Sequence, residues 1–195
     1  GRADPALLLG WAGNAGEDDQ PSISTGGWVH ALTAPRALSL AGERLVQRPH
    51  LPGLPLESIG FPDSVDGDGA RVAALEASRS WRFSASLDHE PGACLEMRVG
   101  GGGSGLVVRL SESLLEVDRS RTRYPHGGIR RVSLEPGWSG SVEVVHDRSI
   151  TEIFLGGGRL AFTLRSFLEG AGAGLDLGAS GGAVRVAGAR AARAD

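Results

Sequence analysis

Hydrophobic residues recur at every second position through most of the second half of the chain. Trp81, Phe83, Ala85 and Leu87 alternate with Arg82, Ser84, Ser86 and Asp88, the period of a strand with one buried face. The same alternation picks out Leu95-Met97-Val99, Leu106-Val108-Leu110, Leu115-Val117, Val142-Val144, Leu160-Phe162-Leu164 and Val184-Val186. Glycine-rich or polar turns separate these runs at intervals of roughly 8 to 12 residues, the spacing of an antiparallel sandwich. Residues 78–195 are therefore predicted to form two packed sheets.

The first fifty residues have a different rhythm. LLLGW at 7–11 and the run that begins at Trp28 (WVHAL) read as two strands joined by a long polar loop over residues 14–27. Pro35 lacks the N–H that a central strand must donate, so it marks an edge or the start of a strand. ALSLAGERLVQ follows as a hairpin with Ala41-Gly42 at its turn. Beyond it, Pro49, Pro52, Pro55 and Pro62 argue against regular structure. Residues 51–77 are predicted to be a linker, with a short helix over residues 70–78. The fold class expected is all-β.

Composition narrows the function. A hydrophobic fraction of 41% and a charged fraction of 22% are those of a globular protein and exclude a wholly disordered chain. With 31 Gly and 10 Pro, turns must be frequent, which favours many short strands. The net charge is −3, and all 20 basic residues are Arg. No segment is basic enough to suggest nucleic acid, and no apolar run approaches the roughly 18 residues of a membrane span. The expected partner is neutral or small. Cys94 stands alone, which excludes an intrachain disulfide and a cysteine-based metal cluster. No secretory signal is visible, which favours the cytoplasm.

Two stretches carry a family resemblance. LLLGW at 7–11, PSISTGGWVHALTAPRALSL at 21–40 and LVQRP at 45–49 resemble the fifth propeller blade of the sucrose-hydrolysing members of glycoside hydrolase family 32. There a Gly-Trp, a polar loop with a proline, a second Trp and an LTLPREL segment recur in that order. LEVDRSR at 115–121, GGIRRVSL at 127–134 and VEVVHDRSITEIFLGGGRLAFTLRSF at 142–167 are similar to that family's C-terminal β-sandwich. The resemblance covers nearly the whole chain, residues 50–80 and 168–195 being generic.

The resemblance implies that residues 1–50 are the last blade of a five-bladed propeller whose other blades lie outside the chain. It implies a retaining β-fructofuranosidase that cuts a small carbohydrate such as sucrose and needs no metal or organic cofactor. In such chemistry one carboxylate attacks the anomeric carbon and a second serves as acid and then base, the two roughly 5 Å apart. The family carries these groups, with a transition-state Asp, in Asn-Asp-Pro-Asn-Gly, Arg-Asp-Pro and Glu-Cys motifs, none of which occurs here. No catalytic residue is therefore expected in the chain. The nearest imitation, Ala93-Cys94-Leu95-Glu96, has the wrong order. Ala37 stands where many relatives have the Glu of PREL, and Ala15 where some have an aromatic residue. A fructosyltransferase of the same architecture, or a free-standing sandwich that binds sugar without cleaving it, are the alternative readings.

Candidate contacts follow. The loop with Asn14, Glu17 and Asp18 offers groups suited to sugar hydroxyls, or is a plain solvated turn. Trp11 and Trp28 are either sugar platforms or blade core. His146-Asp147-Arg148-Ser149 has the letters of a hydrolase triad, but adjacent strand residues point to opposite faces, so a tight turn is expected. Glu152 shares a face with Ile150 and Phe154 and must find a partner, for which Arg148 and Arg165 are the candidates. Asp147, Ser149 and Glu152 are accordingly assigned structural or interface roles. Asp118-Arg119-Ser120-Arg121 and residues 127–131 should form charge pairs in the sandwich. Gly100, Gly102 and Gly105 fit G-x-G-x-x-G, and residues 178–182 (GASGG) fit G-x-S-x-G. Each lacks the helix its motif requires, so both are expected to be turns.

Overall fold

The computed structural model describes residues 5–13, 20–27, 29–67, 69–76, 78–101, 104–135, 138, 140–168 and 172–194. The first strands are β1 (Ala6–Leu8), β2 (Trp11–Ala12), β3 (Ala31–Leu32), β4 (Arg36–Ala41) and β5 (Arg44–Pro49). Three two-residue strands follow: β6 (Glu57–Ser58), β7 (Ser64–Val65) and β8 (Ala70–Arg71). The long strands come next: β9 (Ser80–His89), β10 (Cys94–Gly101), β11 (Ser104–Leu110), β12 (Leu114–Arg121) and β13 (Ile129–Ser133). β14 (Gly140–Asp147), β15 (Ile150–Leu155), β16 (Leu160–Arg165), β17 (Gly174–Ser180) and β18 (Val184–Ala194) complete the series. The only α-helix among the described residues is the short α1 (Pro21–Gly26). No helix among them is long and apolar enough to cross a membrane.

The molecule is all-β, and its sandwich has two antiparallel sheets. One sheet has six strands in the order β13-β12-β11-β10-β17-β8, and the other seven, β16-β15-β14-β9-β18-β6 with β7 on the flank of β18. The alternation that marks each strand puts one row of side chains inside. Trp81, Phe83 and Leu87 from one sheet meet Leu95, Met97, Leu106 and Leu115 from the other in a single core, each such burial contributing about 1.5–3 kcal/mol. Trp81 also donates its indole N–H to the Ala173 carbonyl at 2.7 Å, so the one polar atom of a fully buried ring is satisfied.

The outer face of the six-stranded sheet is a charge ladder. Glu96 pairs with Arg109, Arg109 with Glu116 and Glu116 with Arg131 in direct cross-strand register, at 2.8, 2.8 and 2.7 Å. Opposite charges facing each other across antiparallel strands fix register and keep this face polar. The hydrogen bonds from Arg109 and Arg131 hold the Glu116 carboxyl below the usual carboxylate range. Within β12 Asp118 accepts from the Ser120 N–H at 2.9 Å, and Arg130 donates to the Gly127 carbonyl at 2.6 Å. Of the charges expected to pair in 118–121 and 127–131, Arg131 meets Glu116 and Asp118 lies 3.9 Å from Arg109.

Three expectations are corrected. The prolines of residues 51–77 do not exclude strand pairing: β6 and β7 join β18, and β8 joins β17. Val65, Val72 and Leu75 from this stretch are buried in the sandwich core. In place of a helix over residues 70–78 there is a 3-10 turn at Ala73–Leu75. The hairpin turn sits one residue later than read, since Ala41 pairs with Arg44 and Gly42 takes the positive φ of 64°.

The described residues between 5 and 49 form a separate ribbon, a three-stranded sheet β1-β4-β5 and the small pair β2-β3. Pro35 directly precedes β4 and its carbonyl accepts from the His50 N–H at 2.7 Å. The ribbon leans on the outer face of the seven-stranded sheet at β15 and β16. The Gln47 N–H donates to the Gly158 carbonyl at 2.9 Å and Arg48 Nε to the Gly157 carbonyl at 2.8 Å. Gly158 has φ 96°, and a side chain there would run into the Gln47 carbonyl. Glycine is required at this position both by conformation and by the close approach.

Candidate functional site

The joint between ribbon and sandwich is built on β15. Its inward residues Thr151, Ile153 and Leu155 face the sandwich core, and its outward residues Ile150, Glu152 and Phe154 face the ribbon, so all six are buried. A carboxylate on that outer face must be neutralised, because an unpaired buried charge is far more costly than a paired one. The partner is Arg36, the first residue of β4, which reaches Glu152 Oε1 with Nη2. The same guanidinium donates to Thr163 Oγ1 at 2.5 Å and to Gln47 Oε1 at 2.8 Å. It also stacks 5.2 Å from the Phe154 ring centre. The Ala34 N–H completes the carboxylate's shell at 2.6 Å. Arg148 and Arg165, the partners expected for Glu152, are not the ones used. Arg165 instead donates Nη1 to the carbonyls of Ala12 and Val29 at 3.1 and 3.0 Å, and burial pushes its guanidinium below the ordinary arginine value.

A cleft of about 500 Å³ opens along this joint. Gly10, Trp11, Gly13, Gln20 and Arg36 line it from the ribbon, and Arg119, Tyr124, Arg130 and Arg165 from the sandwich. The Trp11 indole is 56% exposed and meets His30 edge-on at 4.8 Å. The buried polar atoms at the cleft that have no hydrogen-bond partner include Gln20 Oε1, Arg36 Nε and the Tyr124 hydroxyl. Native proteins satisfy nearly all such groups, so their convergence marks the cleft as a place for polar contacts.

The other predicted residues distribute as follows. Asn14, Glu17, Asp18 and Trp28 lie outside the described residues. Asp147 ends β14 and accepts from the Ser80 hydroxyl at 2.6 Å. Arg148-Ser149 is the turn between β14 and β15, with Arg148 at φ 52°, and the buried Ser149 offers its carbonyl to the Ser166 N–H at 2.7 Å. His146 points the other way, into the core beside Trp81 at 5.4 Å. It bonds Thr151 Oγ1 at 3.0 Å, and Thr151 bonds Ser166 Oγ at 2.6 Å. Burial lowers the His146 pKa to about 4, so the ring is neutral and structural. No triad is assembled here. Gly100 and Gly105 face each other at the paired ends of β10 and β11, Gly102 lying outside the described residues, and of GASGG the first three residues end β17 while Gly181 and Gly182 lead into β18.

Arg36, Gln20, Tyr124 and the arginines of the cleft were not identified from the sequence as a group. Arg36 meets Glu152 across 116 residues, and the only local hint was a charged residue next to Pro35 at a strand start.

No protein-family model matches the chain. Among curated proteins, a probable sucrose-6-phosphate hydrolase of Vibrio cholerae is 31% identical over 178 residues, covering 88% of this chain and 30% of that protein. A second V. cholerae protein of the same name is 30% identical over 168 residues. The chain spans about 30% of the length of the curated relatives it matches. Solved structures share the fold. A sucrose-6-phosphate hydrolase from Lactobacillus gasseri aligns with TM-score 0.73 and 16% identity over 98% of this chain and 39% of its own. A fructan 1-exohydrolase from Cichorium intybus aligns at 0.76 and 16% over 97% and 45%. A family 32 β-fructofuranosidase of Bombyx mori aligns at 0.70 and 22% over 96% and 37%.

Proposed function

The chain is the counterpart, in sequence and in fold, of one part of a family 32 glycoside hydrolase, and from that premise we propose that its parent is a retaining β-fructofuranosidase. The substrate is sucrose, or sucrose 6-phosphate as the names of the Vibrio relatives suggest. Residues 1–50 are the closing blade of a propeller, and residues 51–195 are the sandwich, the stretch 51–77 entering it through its short edge strands. The nucleophile and the acid/base belong to the preceding blades, and the present 195 residues do not cleave sugar by themselves. Their role is to close the propeller and hold its last blade against a rigid support.

One observation carries this reading. Leu7, Leu9, Trp11, Ile23, Leu32, Leu40 and Leu45 are 37–73% exposed, whereas Ile129 is the only such large apolar residue elsewhere among the described residues. Uncovered apolar side chains gathered on one unit mark a surface made for a neighbour, and propeller blades are stabilised by neighbouring blades.

The test compares two proteins, the 195-residue chain and the same chain extended upstream by the reading frame that precedes it. Each is incubated with sucrose and with sucrose 6-phosphate, and the anomer released is followed by NMR. The extended protein is expected to release fructose with retention, and the short chain none. Release by the short chain, or inertness of the extended one, overturns the reading.

A further inference from the structure

We infer that the sandwich fixes the position of Trp11, the exposed ring of the ribbon, and that Glu152 is the positioning residue, acting through Ala34, Thr33 and Gly10. Trp11 opens β2, which pairs with β3 only through Trp11 with Leu32 and Ala12 with Ala31. An isolated pair of strands is marginal in water even when longer, so this one takes its geometry from whatever holds its ends. At one end the Glu152 carboxylate of β15 accepts from the Ala34 N–H at 2.6 Å, across 118 positions of sequence. The preceding residue, Thr33, is joined to Gly10 twice. Its N–H donates to the Gly10 carbonyl at 2.8 Å, and its hydroxyl accepts from the Gly10 N–H at 2.9 Å. Gly10 leads directly into Trp11.

The carboxylate at the head of this chain of bonds is itself held. Its other oxygen is taken by Arg36 and by Thr163 Oγ1 at 3.2 Å. A second grip lies at the far end of the pair, where Arg165 of β16 donates to the carbonyls of Ala12 and Val29, so the sandwich holds β2 and the approach to β3 together. Between the two grips there is little free space. A methyl at Gly10 would press on Thr33 Cγ2 at 3.1 Å, and one at Gly13 would run into His30 Nδ1 and lie 3.2 Å from Trp11 Cε2. The edge-on contact of Trp11 with His30 is therefore set by the backbone on either side of it. What Trp11 serves in the parent rests on the reading of residues 1–50 as part of a sugar-cleaving unit; how it is held does not. On that reading the sandwich does more than support the blade, because one of its carboxylates aims an exposed residue of the other unit.

The experiment is proton–nitrogen correlation NMR of the 195-residue chain, with the Trp11 indole signal identified by its loss in Trp11→Phe. In Glu152→Gln the side chain keeps its shape but has one oxygen for two donors; the charged Arg36 retains it, and the Ala34 N–H loses its acceptor. The Trp11 indole signal is expected to shift, and the Gly10 amide to exchange with deuterated water about tenfold faster, the loss of one hydrogen bond. Thr33→Val, which keeps the shape and removes the hydroxyl, should do the same, and Thr33→Ser should restore both. The double variant should add nothing further, since residues in one chain of bonds are coupled. The Trp81 and Trp138 indole signals should stay in place throughout. Glu143→Gln, at another carboxylate of the seven-stranded sheet, paired with Arg82, should leave Trp11 unmoved. Limited proteolysis reports whether the ribbon is still attached, and a Trp11 shift with the ribbon protected supports positioning. A shift seen only where the ribbon is cut free, an unmoved Trp11 signal in Glu152→Gln and Thr33→Val, or additive effects in the double variant overturn the proposal. These spectra involve no catalysis, so their failure leaves the hydrolase reading standing, and failure of that reading leaves them unaffected.

Discussion

The sandwich and the ribbon that leans on it treat their apolar residues in opposite ways. In the sandwich, Trp81, Leu95, Met97 and Leu115 are fully buried between two sheets, and the outward side of the six-stranded sheet is a row of paired charges. In the ribbon, Leu7, Leu32 and Leu40 stand in solvent, while its attachment to the sandwich centres on the buried pair of Arg36 with Glu152 of β15 and its hydrogen-bonded surroundings. One unit is held by its own core, and the other is fixed by polar contacts to a neighbour. Apolar burial is strong and undirected; a buried ion pair contributes less net stability but defines one geometry.

Substitutions can break that contrast. Trp81→Ala should cost the chain about 4 kcal/mol, from lost burial and the cavity left behind, and chemical denaturation should show the whole sandwich shifting. Glu152→Ala should cost about 3 kcal/mol by leaving Arg36 buried without its counter-charge. Here the sandwich is expected to stay folded while limited proteolysis cuts the ribbon; equal protection of the two units would contradict the polar-anchor account. Acid sharpens the picture from the core side. His146 has its folded value lowered to about 4 from 6.5, so the unfolded chain binds the proton first as pH falls. Stability is full above 6.5 and is lost progressively down to about 4, roughly 2 kcal/mol of it by pH 5. The slope should be smaller in His146→Gln when stability is measured at both pH values. Arg109→Ala, in the partly exposed ladder, should cost less than about 1 kcal/mol, with a salt-sensitive remainder. Leu40→Ala, at 73% exposure, should change stability by less than about 0.5 kcal/mol in this chain.

How much of this could be read in the sequence depended on how each strand is covered. β9, β10, β11 and β14 have one dry and one wet face, and their alternation gave them away. β15 (ITEIFL) has both faces covered, so no alternation appears in it, although the face shared by Ile150, Glu152 and Phe154 was legible. β17 is masked by glycine, since Gly174 and Gly178 occupy the outward face and leave Asp176 as its one charged side chain beside the buried row of Leu175, Leu177 and Ala179. β6 to β8 are two-residue pairings that take their register from longer neighbours, and their prolines argued against them. α1 had a signal that went unread: Pro21 at its first turn and Gly27 in the left-handed region just past its end, the usual asymmetry of a helix. The cleft was the least legible feature. Its residues come from four separate stretches, and only the docking of ribbon on sandwich brings Gln20 and Arg36 to Tyr124 and Arg130.

The double covering of Ile150–Leu155 has a consequence for motion. To expose the amides of this strand to exchange with deuterated water, the molecule must separate it from β14 or β16 and rewet two packed faces together, and local opening of that extent is rare. The slowest-exchanging amides should therefore cluster here, off the centre of the sheet, and detaching the ribbon should speed them while leaving those of β9 unchanged.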